Sequence, residues 1–593
     1  MRAVVHLRHV KRLATCAGAL AILGLITVLY WPVSHGGFVW DDTTSLHDEA
    51  WLRGDAWKDF VLHGFNGWTN YFRPLVVLLF VLETRAFEVM PGPMHLVSLG
   101  IHLADTLLVG MLAWKLCNDP RRRTLLAGVS MLFYGLHPAL IEPVDWVGCQ
   151  FELAVIFFIL LGLLLNAWIA STLWRALGVS VSFLLAAGFK EAAAAFPLLL
   201  VLFDLMAAPA ASWPAILRST WQRQRAVYAG VLFAAIAYLI LRHWALGYTL
   251  TRIGADSGND AVFALARLQK VCLTYLEYLR LIVWPMSSIG PIHPFDEQQF
   301  NLFTTRSLAI DAAALALMLG GIYAFSKRIA LGGLILAVTI ALLPVLNIVP
   351  IAFSESLYHD RYATTAVAMA CVLLPSLLSG IGRNVRSRVF SMSVPLIACL
   401  WLAFAIVNIR VTVPLWSDEV GLWQWALRQH PDSLAAKDLL LTGYMHRNDL
   451  AHAGQLADEL VAANVPCLVC LLNAANLAIV ANDEARATQA LDALRKQNLL
   501  AYDLRYLPRY ILTSGRLLEL QNDRAGAEAA YRDAIKADPF DPEAHMALVL
   551  LLARAGKVNE TRDAEQALLA LSAPDERESR RRLIEQTLAA SRQ

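Results

Sequence analysis

Charge is scarce in this 593-residue chain. Asp, Glu, Lys and Arg make up 17% of it against 57% hydrophobic residues, and the mean hydropathy is +0.51. Soluble globular domains carry about 25% charged residues, so this balance excludes an ordinary soluble protein and points to many membrane spans. A surplus of one sign is also missing: 50 basic against 48 acidic residues leave a formal charge of +2. The Lys and Arg residues sit in short clusters between apolar runs and form no basic stripe, which argues against nucleic-acid binding. Cysteine is sparse, with eight residues scattered mostly inside apolar segments, so no disulfide scaffold is expected. Beyond about residue 415 the long apolar runs disappear, and nothing there is long enough to cross a bilayer.

The chain therefore divides into an apolar part, 1–414, and a charged, Ala-rich, helical part, 415–593. The expected fold class is all-α: a polytopic membrane domain followed by a helical solenoid. Arg2, Arg8, Lys11 and Arg12 precede the first apolar stretch, 13–33, which outruns a signal-peptide core and lacks a small-residue cleavage signature. It is expected to be an uncleaved span with its N-terminus in the cytoplasm. Arg121-Arg122-Arg123, Arg175, Arg218 with Arg223 and Arg225, Lys327-Arg328, and Arg383 to Arg388 then mark cytoplasmic turns. The run Pro74 to Phe87, broken by Glu83 and Arg85, suits a helix lying in the outer interface, as does the amphipathic stretch around Leu273 to Trp284. If residues 268–285 crossed, two basic clusters would lie outside. The resulting count is eleven spans, with outer loops at 34–93, 140–149, 247–305 and 350–361 and the C-terminal part outside the cytoplasm. The Ala-rich, Arg-over-Lys composition points to a bacterial inner membrane with a periplasmic tail, and also fits the endoplasmic reticulum.

The tail repeats. Asn448-Asp449, Asn482-Asp483, Asn522-Asp523 and Gly556-Lys557 recur at intervals of 34, 40 and 34 residues, each in a turn between amphipathic helices. That is tetratricopeptide spacing with one insertion, supported by Pro431 and Pro466, and by Pro539 and Pro574, each pair 35 apart. The element Pro466-Cys467-Leu468-Val469-Cys470 has the pattern of a redox or zinc motif. A second ligand pair is missing and the cysteines fall on a repeat helix, so buried packing is the expected role.

Candidate chemistry lies near the outer span ends. Asp41 and Asp42 follow the first span; alone, they would cap a helix running from Thr43 to Leu52. His137 stands beside the turn-forming Pro138, and His102 lies within a span. Tyr358-His359-Asp360 suggests a base or metal ligand. Taken in order, Phe38-Val39-Trp40-Asp41-Asp42, Tyr71-Phe72-Arg73-Pro74-Leu75, His137-Pro138 with Glu142, Phe189-Lys190-Glu191 and Asp360-Arg361-Tyr362, followed by repeats, resemble one group along essentially the whole chain. It is similar to the transmembrane and tetratricopeptide-repeat O-mannosyltransferase-like proteins, within the GT-C glycosyltransferase fold that includes the protein O-mannosyltransferases.

That resemblance implies transfer of a sugar from a polyprenyl- or dolichyl-phosphate carrier to an acceptor outside the cytoplasm, with Asp41 or Asp42 as base. An acceptor hydroxyl is a poor nucleophile near neutral pH, and a carboxylate can take its proton as the new bond forms. The departing phosphate needs cations, for which Arg73, Lys190 and Arg361 are the candidates. Glu191 and Asp360 would otherwise neutralise their neighbours Lys190 and Arg361. His137, Glu142, Glu152, Glu191, Glu355 and His359 complete the expected acceptor cavity. The pattern departs at Gln150, where relatives often carry Arg. Protein O-mannosyltransferases of this fold work without a metal while oligosaccharyl-transferring relatives use a divalent ion, so no metal is assigned and none is excluded. Expected partners are the polyprenyl-phosphate sugar, membrane lipids and an acceptor protein held by the repeats, with no nucleic acid. The competing class is a membrane scaffold or transporter. A transporter should carry polar residues at midplane on broken helices in two related halves, whereas here the acids gather at expected outer loops and no internal symmetry is visible.

Overall fold

The computed structural model describes residues 2–42, 46, 57–63, 71–117, 119–209, 211–247, 261–287, 289–295, 304–348, 356–384, 388–463, 466–501, 504–572 and 574–591. Glu355, most of the expected helix beginning at Thr43, and the loop segments 248–260 and 296–303 fall outside them. Helices dominate, and among the described residues extended pairing is limited to one bridge, Pro294 to Ser356. Two compact units emerge, residues 1–38, 62–76 and 90–418, and residues 39–61, 77–89 and 419–593.

Up to residue 418 the helices are α1 (Arg2–Tyr30), α2 (Trp57–His63), α3 (Pro74–Phe87), α4 (Pro91–Leu116), α5 (Arg123–Gly135), α6 (Ile141–Asp145), α7 (Gln150–Trp168), α8 (Thr172–Phe189), α9 (Phe196–Ala207), α10 (Trp213–Leu246), α11 (Ala261–Val283), α12 (Thr305–Ser326), α13 (Ala330–Leu342), α14 (Thr364–Asn384) and α15 (Arg388–Thr412). Among the described residues, eight segments are long and apolar enough to cross a membrane: Leu13–His35, Pro91–Leu116, Val147–Trp168, Thr172–Phe189, Trp213–Leu246, Thr305–Ser326, Asp360–Ser379 and Ser393–Trp416. A ninth arises if Arg123–Gly135 and Pro138–Asp145, bent by 55° at their junction, are one broken span. The sequence count of eleven exceeds this because two expected spans are short. Helix α9 has 12 residues and the apolar stretch Ala330–Val345 has 16, against about 20 for a full crossing. Helices α3, with 14 residues, and α11, which carries Arg267, Lys270, Glu277 and Arg280, are not among the crossing segments.

Helix α7 is the hub of the first unit. Its most apolar stretch is 72% buried, against 11% for α12, and it packs on α8 and α4. Gly162 permits close approach of α8 and of the start of α9: a Cβ there would stand 3.2 Å from Ser182 Cβ and 2.7 Å from the Phe196 ring, closer than carbon atoms approach. Several basic turns meet at one end of the unit. Arg175 Nη2 donates to Arg223 O (3.4 Å), Trp213 Nε1 to Ser326 O (2.9 Å), and Arg328 to Leu205 O (3.3 Å) and Ala208 O (2.5 Å). Three of the five basic clusters, at Arg175, at Arg218 to Arg225 and at Lys327-Arg328, are thus in segments linked by hydrogen bonds.

The second unit contains α16 (Glu419–Gln429), α17 (Leu434–His446), α18 (Leu450–Ala462), α19 (Leu468–Val480), α20 (Glu484–Lys496), α21 (Leu507–Leu520), α22 (Arg524–Ala537), α23 (Pro542–Arg554), α24 (Val558–Leu571) and α25 (Pro574–Ala590). Helices α17 to α24 form four successive packed pairs. At the turns Asn448, Asn482 and Asn522 take φ of 57°, 56° and 64° and Gly556 takes 70°, a left-handed conformation that asparagine and glycine tolerate best. The following aspartates cap the next helix: Asp449 accepts from His452 N, Asp483 from Arg486 N and Asp523 from Gly526 N, at 2.9 to 3.3 Å. The longer interval of 40 residues comes from two 3-10 turns, Leu499–Ala501 and Leu504–Tyr506, between α20 and α21. One expectation fails here: Cys467 and Cys470 do not merely pack but form a disulfide at the start of α19. Their spacing of three places both sulfurs on one turn, where proximity outweighs the apolar surroundings on which the packing reading relied.

Candidate active site

In the first unit, four cations and three glutamates converge where helix ends meet. Lys190 closes α8, Glu191 opens the next 3-10 turn, and Glu152 lies in the first turn of α7. Glu142 is on α6, Arg242 in the last turns of α10, Arg361 in the 3-10 turn leading into α14, and Arg73 immediately precedes Pro74, the first residue of α3. An arginine or lysine at the end of an apolar helix is costly unless an anion meets it, and each one here is met.

Arg73 reaches Glu191 Oε2 through Nε (3.1 Å) and Nη2 (2.9 Å), and Arg242 Nη1 reaches Glu191 Oε1 at 3.3 Å. Lys190 pairs with Glu152. Arg361 pairs with Glu142 through its side chain, while its backbone N donates to Glu142 Oε2 at 2.8 Å. The alternative in which Glu191 and Asp360 neutralise their chain neighbours is thus not the pairing formed: Lys190 and Arg361 take glutamates from other elements. Chain neighbours at helix ends point apart, and Asp360 instead accepts from Gly290 N (3.2 Å) and lies 2.9 Å from His293 Nε2. Arg73, which has no acid beside it in sequence, is nevertheless paired, with a partner 118 residues away.

Aromatic rings link the pairs into one row. Arg73 lies over Tyr71 (4.1 Å) and Phe151 (5.2 Å), and Lys190 over Phe151 (5.6 Å) and Tyr362 (4.1 Å). Arg361 lies over Tyr362 (4.7 Å) and Trp146 (4.9 Å). Ring faces attract cations, so Arg73, Lys190 and Arg361 are each held by a carboxylate and two rings. Glu191 differs from the other acids. Its side chain is 34% exposed while Arg73 and Arg242 are 15% and 6% exposed, and it serves two guanidiniums. Burial pushes its carboxyl up, but Arg73 and then Arg242 outweigh burial and hold it below the usual carboxylate range. Two cations facing one accessible carboxylate make a place where a further anion can be bound.

The remaining sequence candidates divide. His359 flanks the row edge-on to Tyr362, and burial followed by the charge of Arg361 holds its ring well below the usual histidine range, so it is neutral. Its Nδ1 is 3.3 Å from Pro291 O and carries the proton. His137 is committed to structure: Nδ1 accepts from Ala139 N (3.2 Å), Nε2 donates to Ile282 O (3.0 Å), and the ring packs on Trp401. It holds the bend after α5. Gln150 is buried in the first turn of α7. Asp41 and Asp42 belong to the second unit, beside Trp40, which has φ of 58° and packs edge-on to Trp423. Asp41 is exposed; Asp42 is buried, and its Oδ2 accepts from Val39 N at 3.5 Å. Among the described residues, the one trio with ligand atoms close enough for a metal ion is Asp438, Cys467 and Cys470, in the second unit.

Sequence reasoning missed Arg242 and the rings. A lone arginine near the end of the apolar run 226–246 was the available signal. Tyr71 and Tyr362 lie inside the motif strings, but only the fold shows them against cations.

No family model matches the chain, and no curated protein matches it. Among solved structures it is similar to two of the Archaeoglobus fulgidus oligosaccharyltransferase. One is in complex with an inhibitory peptide and a dolichol-phosphate (14% identity, TM-score 0.33); the other is tethered to an acceptor peptide containing the NVT sequon (15%, 0.32). Each match covers 71% of this chain, which spans 59% of the other. At these values a functional assignment rests on the chain's own residues.

Proposed function

We propose that the chain is a membrane glycosyltransferase of GT-C type that moves a sugar, in the first instance mannose, from a polyprenyl-phosphate carrier to an extracytoplasmic acceptor. The acceptor assigned is a protein Ser or Thr hydroxyl. The observation that carries the reading is the buried cation row beginning at Arg73, Glu191 and Arg242, placed at the ends of apolar helices where a lipid phosphate would have to sit while its tail stays in the bilayer. The role of Arg73, Lys190 and Arg361 is to bind and stabilise the phosphate as it leaves. Asp41 or Asp42 is assigned as the base, on motif order and family resemblance. Its task is to take the acceptor proton as the oxygen attacks the anomeric carbon, with inversion there; the phosphate departs with the bonding electrons. The helical pairs of the tail are assigned to the tetratricopeptide class and to holding the acceptor polypeptide, and the membrane to the bacterial inner membrane with the tail periplasmic.

The test uses purified full-length protein in vesicles with radiolabelled polyprenyl-phosphate mannose and a Ser/Thr-rich acceptor. Asp41→Asn or Asp42→Asn should lower transfer at least 100-fold while the protein still folds. Full transfer by both single variants and the double variant would sink the assignment of the base. Arg73→Ala should weaken donor use, and donor saturation unchanged from wild type would remove it from the phosphate site.

A further inference from the structure

Cys467 and Cys470 form a disulfide inside the Pro466-Cys467-Leu468-Val469-Cys470 element. A bridge with a sequence separation of three closes a very small loop, and small loops restrict the unfolded chain least, so stapling is a weak reason for it. Its placement suits exchange instead. Cys467 is the N-cap of the 13-residue helix α19, and its sulfur lies 3.3 Å from Cys470 N, an otherwise unmade helix-end donor. A thiolate there is favoured by that N–H and by the helix dipole. Cys467 is partly buried and Cys470 fully buried, so the first sulfur is the more accessible to an incoming thiol. A second element contributes as well: a carboxylate oxygen of Asp438, on α17, lies within 4.8 Å of both sulfurs. Asn473 Nδ2 holds Asp438 Oδ1 at 3.4 Å and Thr442 Oγ1 at 3.0 Å, while Arg509 Nη2 holds Asn473 Oδ1 at 2.5 Å.

We propose that Cys467 and Cys470 are a thiol–disulfide exchange site whose partner is a protein dithiol. A partner thiolate attacks Cys467 Sγ, forming an intermolecular S–S bond and breaking the internal one. The electron pair leaves on Cys470 Sγ, which takes a proton relayed by Asp438. The partner's second thiolate then attacks its own sulfur in the mixed disulfide and releases Cys467 as a thiolate. The partner dithiol is oxidised to a disulfide, and this chain is reduced by two electrons. The site is independent of sugar transfer.

The test treats the folded full-length chain in detergent with dithiothreitol, then alkylates with iodoacetamide and maps the peptides; the other six cysteines all precede residue 400. Reduction is expected without denaturant, with Cys467 alkylated at least tenfold faster than Cys470 at pH 7. Cys470→Ser should form a one-to-one mixed disulfide with oxidised glutathione, and Asp438→Asn should slow reduction of the wild-type pair several-fold. A bond that reduces only in denaturant, equal alkylation of the two sulfurs, or a reduced protein that retains one zinc ion per chain from zinc chloride would overturn the proposal.

Discussion

Glu191 shows how one side chain organises the candidate site. It is the only one of the three paired glutamates shared by two guanidiniums, and it is the most accessible of them. Lys190 and Glu152 are different, being 10% and 5% exposed and paired with each other. Removing one member of a buried pair leaves the other charge uncompensated, at a cost of about 3–5 kcal/mol, whereas replacing both with apolar residues is often neutral. Lys190→Ala should therefore destabilise by about 3 kcal/mol, and Lys190→Met with Glu152→Leu should recover most of that in thermal unfolding. If Lys190 also holds the donor phosphate, the recovered double variant will fold yet need several-fold more donor for half-maximal transfer. A double variant with wild-type donor saturation would restrict Lys190 to structure. The cations of this site were legible in the sequence because charge at the end of an apolar run has few ordinary explanations. Their partners were not, since Glu152 is 38 residues from Lys190 and Glu142 is 219 from Arg361, and only tertiary packing sets such pairs.

At the scale of elements, the tail was the most readable part. Asn-Asp at successive turns encodes both halves of a helix–turn–helix junction: a residue that tolerates positive φ and then one that caps the next helix. The membrane elements were less readable, because periodicity shows that a segment is apolar and helical but not whether it runs the full thickness. Helix α9 and Ala330–Val345, counted as spans from the sequence, are only 12 and 16 residues long, and the bend beyond Gly135 was hidden because proline can end a helix or merely kink it. One capping carboxylate carries a pH signature. Asp541 caps α23, accepting from Glu543 N at 2.8 Å, and burial followed by the Glu543 charge pushes it up to about 6. An acid raised on folding stabilises the fold while protonated, so stability falls as pH rises through the window from about 4 to about 6. The loss should be about 1–2 kcal/mol, and Asp541→Asn, which keeps a capping side chain, should remove it. The check is thermal unfolding of the full chain at pH 5 and pH 8. Equal changes in wild type and variant would contradict the assignment.

For the whole molecule, the division of labour follows the distribution of charge. An apolar unit with, among the described residues, eight to nine segments long and apolar enough to cross a membrane pairs the cations of the candidate site at helix ends, and a polar unit of helix pairs follows it in sequence. A scaffold would need the second but not the first; at the candidate site of the first, four buried or half-buried cations share three glutamates. The most direct measurement is mass spectrometry of extracytoplasmic proteins from cells lacking this chain, compared with cells complemented by the wild type or by Arg73→Ala. The account predicts hexose-modified Ser or Thr peptides that vanish in the deletion, return with the wild type and stay largely absent with Arg73→Ala. An unchanged set of modified peptides across all three would contradict it.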